Sequence, residues 1–186
     1  MKVKLLSTSN NWQAIKNATM NTIGKDTGKY PDELWKRKML MAEHSPIRKL
    51  KVSWKWQDLM FWVSVHFVRH HIGIEHFIST ERTDRTGINR NELPQKNFVL
   101  HECEANAQAM INVSRKRLCM QASEETREAW KAVLAKTKHY ESALVKSCVR
   151  DCVYRGYCYE FKSCGYSKTQ AYRNELAEYR KYLQEV

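Results

Sequence analysis

The sequence predicts a single α+β domain, and three patterns along its 186 residues support this prediction. Residues 49–56 alternate between apolar and polar side chains, which is the period of a half-buried β-strand. Residues 11–23 instead carry apolar side chains at helical spacing, and residues 31–43 open with a proline and two acids, as the first turn of a helix prefers. Residues 104–146 are rich in strong helix formers and predict two long helices. A chain of this length can bury a core without a second domain.

The strand and the segment after it form the most apolar region of the chain. Residues 58–71 predict a buried helix, because apolar side chains dominate the segment as far as Val68. Basic side chains follow at the end of this helix, where the helix macrodipole favours them. The apolar face of the preceding strand is formed by Leu50, Val52, Trp54 and Trp56.

The other segments divide into a polar middle region and a tail. Residues 78–95 are polar and contain Gly87 and Pro94, so they predict strand and loop. Residues 148–165 form a tail segment that holds four cysteines. Residues 166–186 predict a charged, amphipathic C-terminal helix.

The composition restricts the class of partner. The formal net charge of +12 favours the capture of anions, which could be nucleic acid or phosphorylated small molecules. The longest apolar run, Leu59 to Val68, is about half the length that a membrane span requires. The N-terminus lacks the apolar core of a secretory signal, so we expect a cytoplasmic protein without a membrane partner.

The six cysteines are a second restriction. In a reducing cytoplasm they are reduced thiols or metal ligands rather than disulfides. Structural zinc sites favour C-x2-4-C pairs, and only the first interval of the tail cysteines fits that spacing well. Packed thiols are therefore the favoured interpretation, and a metal site remains open. The tail cysteines are Cys148, Cys152, Cys158 and Cys164.

Two basic clusters are the candidates for chemistry. Residues 69–85 are dense in Arg, His and acidic side chains, and they directly follow the apolar helix. Guanidinium groups bind phosphate through a rigid fork of donors, so this position suits phosphate recognition. Residues 106–118 add two asparagines and further arginines on a predicted helix. A solvated charged surface is the alternative interpretation of both clusters.

Taken in order, these motifs resemble the flavin-dependent thymidylate synthases, the ThyX family. The Arg69-His70-His71 triplet stands where the family has its RHR motif, and Thr80-Glu81-Arg82 resembles the Ser-X-Arg that follows. His44 in AEHSP matches a flavin-contacting segment. Residues 119–127, CMQASEETR, resemble a further family stretch. The remaining matches, which fall at the family's intervals, are Arg90, Asn106, Asn112 and Arg117.

The resemblance implies a fold, a reaction and a set of site residues. The fold would be a mixed sheet flanked by long helices, and the reaction would convert dUMP to dTMP with FAD, NADPH and methylenetetrahydrofolate. A homotetramer with shared active sites would form in the cytoplasm of a bacterial cell or a phage-infected host.

The resemblance also implies roles for individual residues. Arg117 would be catalytic, since it can stabilise negative charge on the uracil ring. The implied dUMP ligands are Thr80, Arg82, Arg90 and Arg117. The implied FAD ligands are His44, Arg69, His70, His71, Asn106 and Asn112.

Three substitutions and one shortened stretch depart from the family pattern and keep other functions open. His71 replaces an arginine, Ile78 replaces a glutamate and Gln108 replaces an arginine, and the stretch from Arg82 to Arg90 is short. These changes leave a related flavin-dependent modification of another pyrimidine nucleotide as an alternative. An alternative of a different class is a basic nucleic-acid-binding or non-catalytic structural protein, which would bind no flavin and would lose nucleic acid as salt rises.

Overall fold

The computed structural model describes residues 1–184 and, within them, side chains as far as residue 182. A four-stranded sheet forms its centre, in the order β1-β2-β4-β3. The α+β class is confirmed. The prediction of a mixed sheet is wrong, because all three pairings are antiparallel. Strand β1 runs against β2, and β4 lies between β2 and β3 and runs against both. The strands are β1 (Lys2–Thr8), β2 (Lys51–Met60), β3 (Ile74–Ile78) and β4 (Phe98–Asn106).

The helices surround this sheet, and α1, α2, α5 and α6 begin at polar side-chain caps. The Asp32 carboxylate accepts a hydrogen bond from the Trp35 backbone N–H at 2.8 Å, which satisfies one free donor of the first turn. Short 3-10 turns cover Ser45–Lys49, Arg90–Glu92 and Tyr166–Lys168. The α-helices are α1 (Trp12–Asn21), α2 (Glu33–Met41), α3 (Phe61–Val68), α4 (Thr83–Thr86), α5 (Ala107–Arg117), α6 (Glu124–Thr137), α7 (Ser142–Ser147), α8 (Asp151–Arg155) and α9 (Gln170–Gln184).

Strand β2 confirms the alternation that the sequence predicted. Val52, Trp54 and Trp56 are fully buried on one face of the sheet. A bulge then interrupts the register before Leu59, with Asp58 at φ +57°. The one extra residue on β2 bends the strand and returns Leu59 to the buried face. The bulge carries β2 as far as Met60, so α3 begins three residues later than the predicted 58–71 helix.

Other predicted boundaries also differ from the observed ones. The segment 78–95 contains only the last residue of β3, and its remainder forms loops and short helical turns. Between 104 and 146, the end of β4 precedes three helices instead of two. The C-terminal helix was predicted for 166–186, but α9 begins at Gln170, and residues 185–186 lie outside the described part of the chain. The end of β4 at Asn106 and the late start of α9 show where backbone pairing or a turn overrides helix propensity.

An aromatic cluster forms the core between the sheet and helices α3, α5 and α6. Trp56 stacks on Phe67 of α3 with ring centroids 4.6 Å apart, and Trp54 meets Trp130 of α6 edge-on at 5.6 Å. The Trp130 indole N–H donates to the Ser114 hydroxyl of α5 at 2.8 Å. Large rings contribute most of the buried apolar area here, so this cluster determines how the helices sit on the sheet.

The tail packs through a smaller cluster of its own. Val153 of α8 contacts Tyr172 and Tyr179 of α9. The Glu175 carboxylate accepts hydrogen bonds from the Arg150 guanidinium at 2.8 Å and from the Tyr166 hydroxyl at 2.5 Å. These contacts attach α9 to α8. Among the described residues, no helix combines the length and apolar character needed to cross a membrane.

Candidate functional site

Three of the four predicted substrate residues line one open cleft between β3 and β4. Thr80, Arg82 and Arg90 surround a space of about 410 Å³ on the loop that joins the two strands. Arg117, the fourth, is outside the cleft lining. The other residues that line the cleft are Phe61, Ser79, Glu81, Asn91, Leu93, Pro94 and Gln95.

Arg82 already has an anionic partner within its own chain. Its Nε donates to Asp84 Oδ1 at 3.0 Å, and a terminal nitrogen donates to Asp84 Oδ2 at 2.7 Å. This two-pronged geometry is the one that guanidinium also uses for phosphate. Both side chains are exposed, so the pair contributes little stability and can open at small cost.

Arg117, at the end of α5, donates hydrogen bonds to α3 and to the residue His70 that follows it. Its Nε donates to His70 Nε2 at 2.9 Å, and a terminal nitrogen donates to the His66 carbonyl at 2.6 Å. Burial lowers the pKa of Arg117, and the nearby Arg69 adds to this effect. A half-buried cation with two fixed acceptors keeps one orientation.

His70 accepts the hydrogen bond from Arg117 because its imidazole is neutral. Burial, and then the charges of Arg117, His76 and His71, lower the pKa of His70 to about 4. Its neighbours Arg69 and His71 are exposed, and His71 Nδ1 lies 3.2 Å from the Arg69 carbonyl. The predicted triplet therefore presents two exposed basic side chains beside one half-buried neutral ring.

Asn106 joins β4 to α5 and contacts the turn before β3. Its side chain accepts a hydrogen bond from the Ala109 backbone N–H at 2.9 Å, which caps α5. Its own backbone N–H donates to the Gly73 carbonyl at 2.9 Å. Gly73 has φ +75°, and a Cβ there would lie within 3.0 Å of Asn106 Cγ and closer still to Nδ2. This predicted FAD ligand is also a structural residue.

His44 and Asn112 are connected indirectly. His44 is exposed at the start of the 3-10 turn after α2. The preceding Glu43 accepts hydrogen bonds from Gln108 and Arg115 of α5. Both of those side chains also donate to the Asn112 side-chain oxygen, at 3.4 and 3.3 Å. The surface of α5 that carries Asn112 is thereby attached to the turn that carries His44.

The sequence prediction missed a group of two histidines and a cysteine that lies next to the His70 carbonyl; His101 and Cys103 are buried, and His76 is partly buried. His76 Nδ1 lies 2.9 Å from His101 Nε2 and 3.2 Å from Cys103 Sγ, and its Nε2 donates to the His70 carbonyl at 2.7 Å. These three residues have ligand atoms within 4.8 Å of one another, so they could hold a metal. The alternation of residues 98–106 places His101 and Cys103 on one face, and this was the available signal.

Comparison with solved structures identifies the fold. The chain superposes on the flavin-dependent thymidylate synthase ThyX from Helicobacter pylori, complexed with FAD and dUMP, with a TM-score of 0.65. The match has 10% identity and covers 81% of this chain and 100% of that chain. The chain has the ThyX fold.

A second solved structure is also similar to the chain. It is a UMP/dUMP methylase, PolB, from Streptomyces cacaoi bound with 5-Br dUMP, and it superposes with a TM-score of 0.62 and 12% identity. The match covers 78% of this chain and 93% of PolB. No protein-family model and no curated protein matches this sequence. The similarity is therefore one of fold, at a level that sequence comparison does not reach.

Replacing Gly73 by alanine tests the contact with Asn106. Gly73→Ala should lower the free energy of unfolding by more than the roughly 1–2 kcal/mol that a left-handed alanine costs, because its Cβ also collides with Asn106. The matched control is Gly24→Ala, which has φ +72° and no atom within 4 Å of the added Cβ. Chemical denaturation of both variants measures the difference. Equal losses would show that the Gly73 contact is not tight.

The buried histidines predict a pH dependence of stability. Burial, and then the charge of His76, lower the pKa of His101 to about 3. The unfolded chain then binds more protons than the folded one below pH 6.5, so stability falls as pH drops from 6.5 toward 4. One such imidazole accounts for about 3 kcal/mol over this window. Urea denaturation across the window should show this fall, and His101→Gln should flatten it. A His101→Gln curve parallel to the wild-type curve would contradict the assignment.

Proposed function

We propose that this chain is a divergent, single-domain member of the ThyX family that methylates dUMP to dTMP. The observation that carries the proposal is the cleft in which Thr80, Arg82 and Arg90 meet, within a fold shared with an enzyme solved with FAD and dUMP. The proposed co-substrates are methylenetetrahydrofolate and NADPH. The proposed location is the cytoplasm.

The cleft suits a nucleotide phosphate. Its volume of about 410 Å³ falls in the range of small-molecule sites, roughly 300–1,000 Å³. Arg82 and Arg90 supply guanidinium donors, and Thr80 supplies a hydroxyl. An incoming phosphate would replace Asp84 as the partner of Arg82, because both anions offer paired oxygens to the same fork of donors.

The residues around Gly73 and the predicted triplet suit a flavin nucleotide. Arg69 and His71 expose cationic or donor groups for a pyrophosphate. The glycine at position 73 keeps the surface beside Asn106 free of a side chain, and a Cβ would fill this space. When bound, FAD supplies the redox chemistry of the reaction. The proposed FAD ligands would bind the cofactor and orient it. Besides Arg69, His71 and Asn106, they are His44, His70 and Asn112.

Arg117 is the proposed catalytic residue. It is a half-buried cation held by His70 and by the His66 carbonyl, so its orientation is set before substrate binds. Such a charge stabilises negative charge that develops on a uracil carbonyl during attack. Because Arg117 is outside the lining of the dUMP cleft, we propose that neighbouring subunits of a homotetramer combine the two groups into one site.

A second candidate is the modification of another pyrimidine nucleotide. The PolB structure is that of a UMP/dUMP methylase, so this fold also accommodates a ribonucleotide. The substitutions at His71, Ile78 and Gln108 favour a site that differs from the usual family pattern. Comparing UMP with dUMP in the same assay separates the two candidates.

The first test is the visible spectrum of purified protein with FAD, followed by NADPH oxidation with and without dUMP or UMP. We expect bound flavin and oxidation that responds to dUMP. Folded protein with neither flavin nor a nucleotide response would favour the nucleic-acid-binding or structural alternative.

Replacing Arg90 tests the cleft. Arg90→Ala should raise the KM for dUMP at least tenfold, since a charge-assisted contact to phosphate is worth roughly 1.5–3 kcal/mol. Arg85→Ala, an exposed neighbour outside the cleft, is the matched control.

The two ends of the Arg117–His70 hydrogen bond should have different effects. Arg117→Ala is expected to lower kcat by roughly 10²–10³-fold, as the loss of an electrostatic stabiliser does, while flavin content stays near the wild-type value. His70→Ala should instead weaken flavin retention. Flavin content after gel filtration and steady-state kinetics measure both effects. Full turnover by Arg117→Ala would exclude its catalytic role.

A further inference from the structure

Four cysteines from separate parts of the chain line one small cavity. Cys119 follows the end of α5, Cys152 lies in α8, and Cys158 and Cys164 lie in the loop between α8 and α9. The cavity measures about 10 Å³, which is the space of one water molecule or one ion. We propose that these four cysteines form a structural zinc site.

All four cysteines are free thiols in the structure, so no disulfide occupies the sulfurs. Cys119, Cys152 and Cys158 are partly buried, and Cys164 is exposed. The cavity that they share therefore brings together four thiols that are available as ligands.

The chemistry of the donors selects zinc and a structural role. Four thiolates in a closed tetrahedral arrangement form the all-cysteine type of zinc site, which leaves no position for a substrate. Binding displaces the thiol protons into solvent. Among the described residues, only His76, His101 and Cys103 bring three possible ligand atoms within 4.8 Å of one another. The four cysteine side chains therefore need to close around the ion, since zinc at about 2.3 Å from each sulfur places the sulfurs about 3.8 Å apart. Arg150 also lines the cavity, and its cation offsets part of the thiolate charge.

The loop that carries Cys158 and Cys164 is held by polar contacts at the surface: Lys116 donates to Glu160 at 3.2 Å, and Gln121 donates to the Lys162 carbonyl. Residues 156–165 form no helix or strand. Tyr157, Tyr159 and Phe161 are exposed, and Phe161 has an exposed fraction of 110%. A segment with so little apolar burial commonly depends on a metal or a disulfide for order. A zinc ion would attach this loop to α5 and α8 and so position α9.

The structure also corrects which cysteines belong together. Cys148 was grouped with the tail cysteines by spacing, but it lies in the main core, where burial raises its pKa to about 12. Cys119 takes its place from a distant part of the sequence. The Cys103 group with His76 and His101 is the rival metal site. Its ligand atoms lie within 4.8 Å of one another, which the four cysteine sulfurs do not. Two of its nitrogens, however, are 2.9 Å apart, a hydrogen-bond distance that is shorter than the roughly 3.3 Å of two nitrogens on tetrahedral zinc.

The test is the metal content of the full chain, purified under reducing conditions and dialysed against zinc. Elemental analysis should find about one zinc ion per chain. Cobalt should replace it and show the absorption of a tetrahedral cobalt thiolate. Cys119→Ser and Cys158→Ser should each lose the bound metal. The controls Cys148→Ala and Cys103→Ser should keep it, because both residues are outside the cavity lining.

Several outcomes would overturn the proposal. These are the absence of zinc from the wild-type chain, a loss of zinc in Cys103→Ser but not in Cys119→Ser, and disulfides among the four cysteines in the intact mass of freshly purified protein. If the serine variants do not fold, a chelator added to wild-type protein decides the question. A lower Tm that zinc restores supports the site, whereas an unchanged Tm excludes a structural zinc ion. None of these measurements requires flavin or nucleotide.

Discussion

The aromatic cluster of Trp54, Trp56, Phe67 and Trp130 is the contact on which the arrangement of the rest depends. It packs β2 against α3 and α6, and the hydrogen bond from Trp130 to Ser114 adds α5. The basic triplet follows the end of α3, and Arg117 ends α5. Since a packed core transmits displacements, the positions of these candidate side chains follow from how the rings pack.

Strand β4 provides the second constraint, because both of its ends contribute to the candidate site. The loop before it forms the cleft with Arg82 and Arg90, and Asn106 at its end caps α5 and contacts Gly73. Between these ends, His101 and Cys103 contact His76 under the His70 carbonyl. A change of register in β4 would therefore disturb the cleft, the helix cap and the buried imidazoles together.

The arginines of the candidate site are held by internal partners of different strength. Arg82 faces an exposed aspartate, a pair that solvent weakens and that phosphate can replace. Arg117 is half-buried and donates to a neutral imidazole and a carbonyl, so its charge is not cancelled. This difference suits one arginine for binding an anion and the other for stabilising charge that forms during a reaction.

The sequence by itself determined the α+β class, the buried face of β2 and the order of basic motifs that resembles the ThyX family, because these depend on periodicity and residue type along the chain. Strand β1, the antiparallel sheet and the buried His76 group depend on pairing between distant segments, which local patterns do not encode. The same holds for the cysteines: spacing favoured Cys148, whereas tertiary structure brought Cys119 to Cys152, Cys158 and Cys164. Only the fold decides which residues far apart in sequence share one cavity.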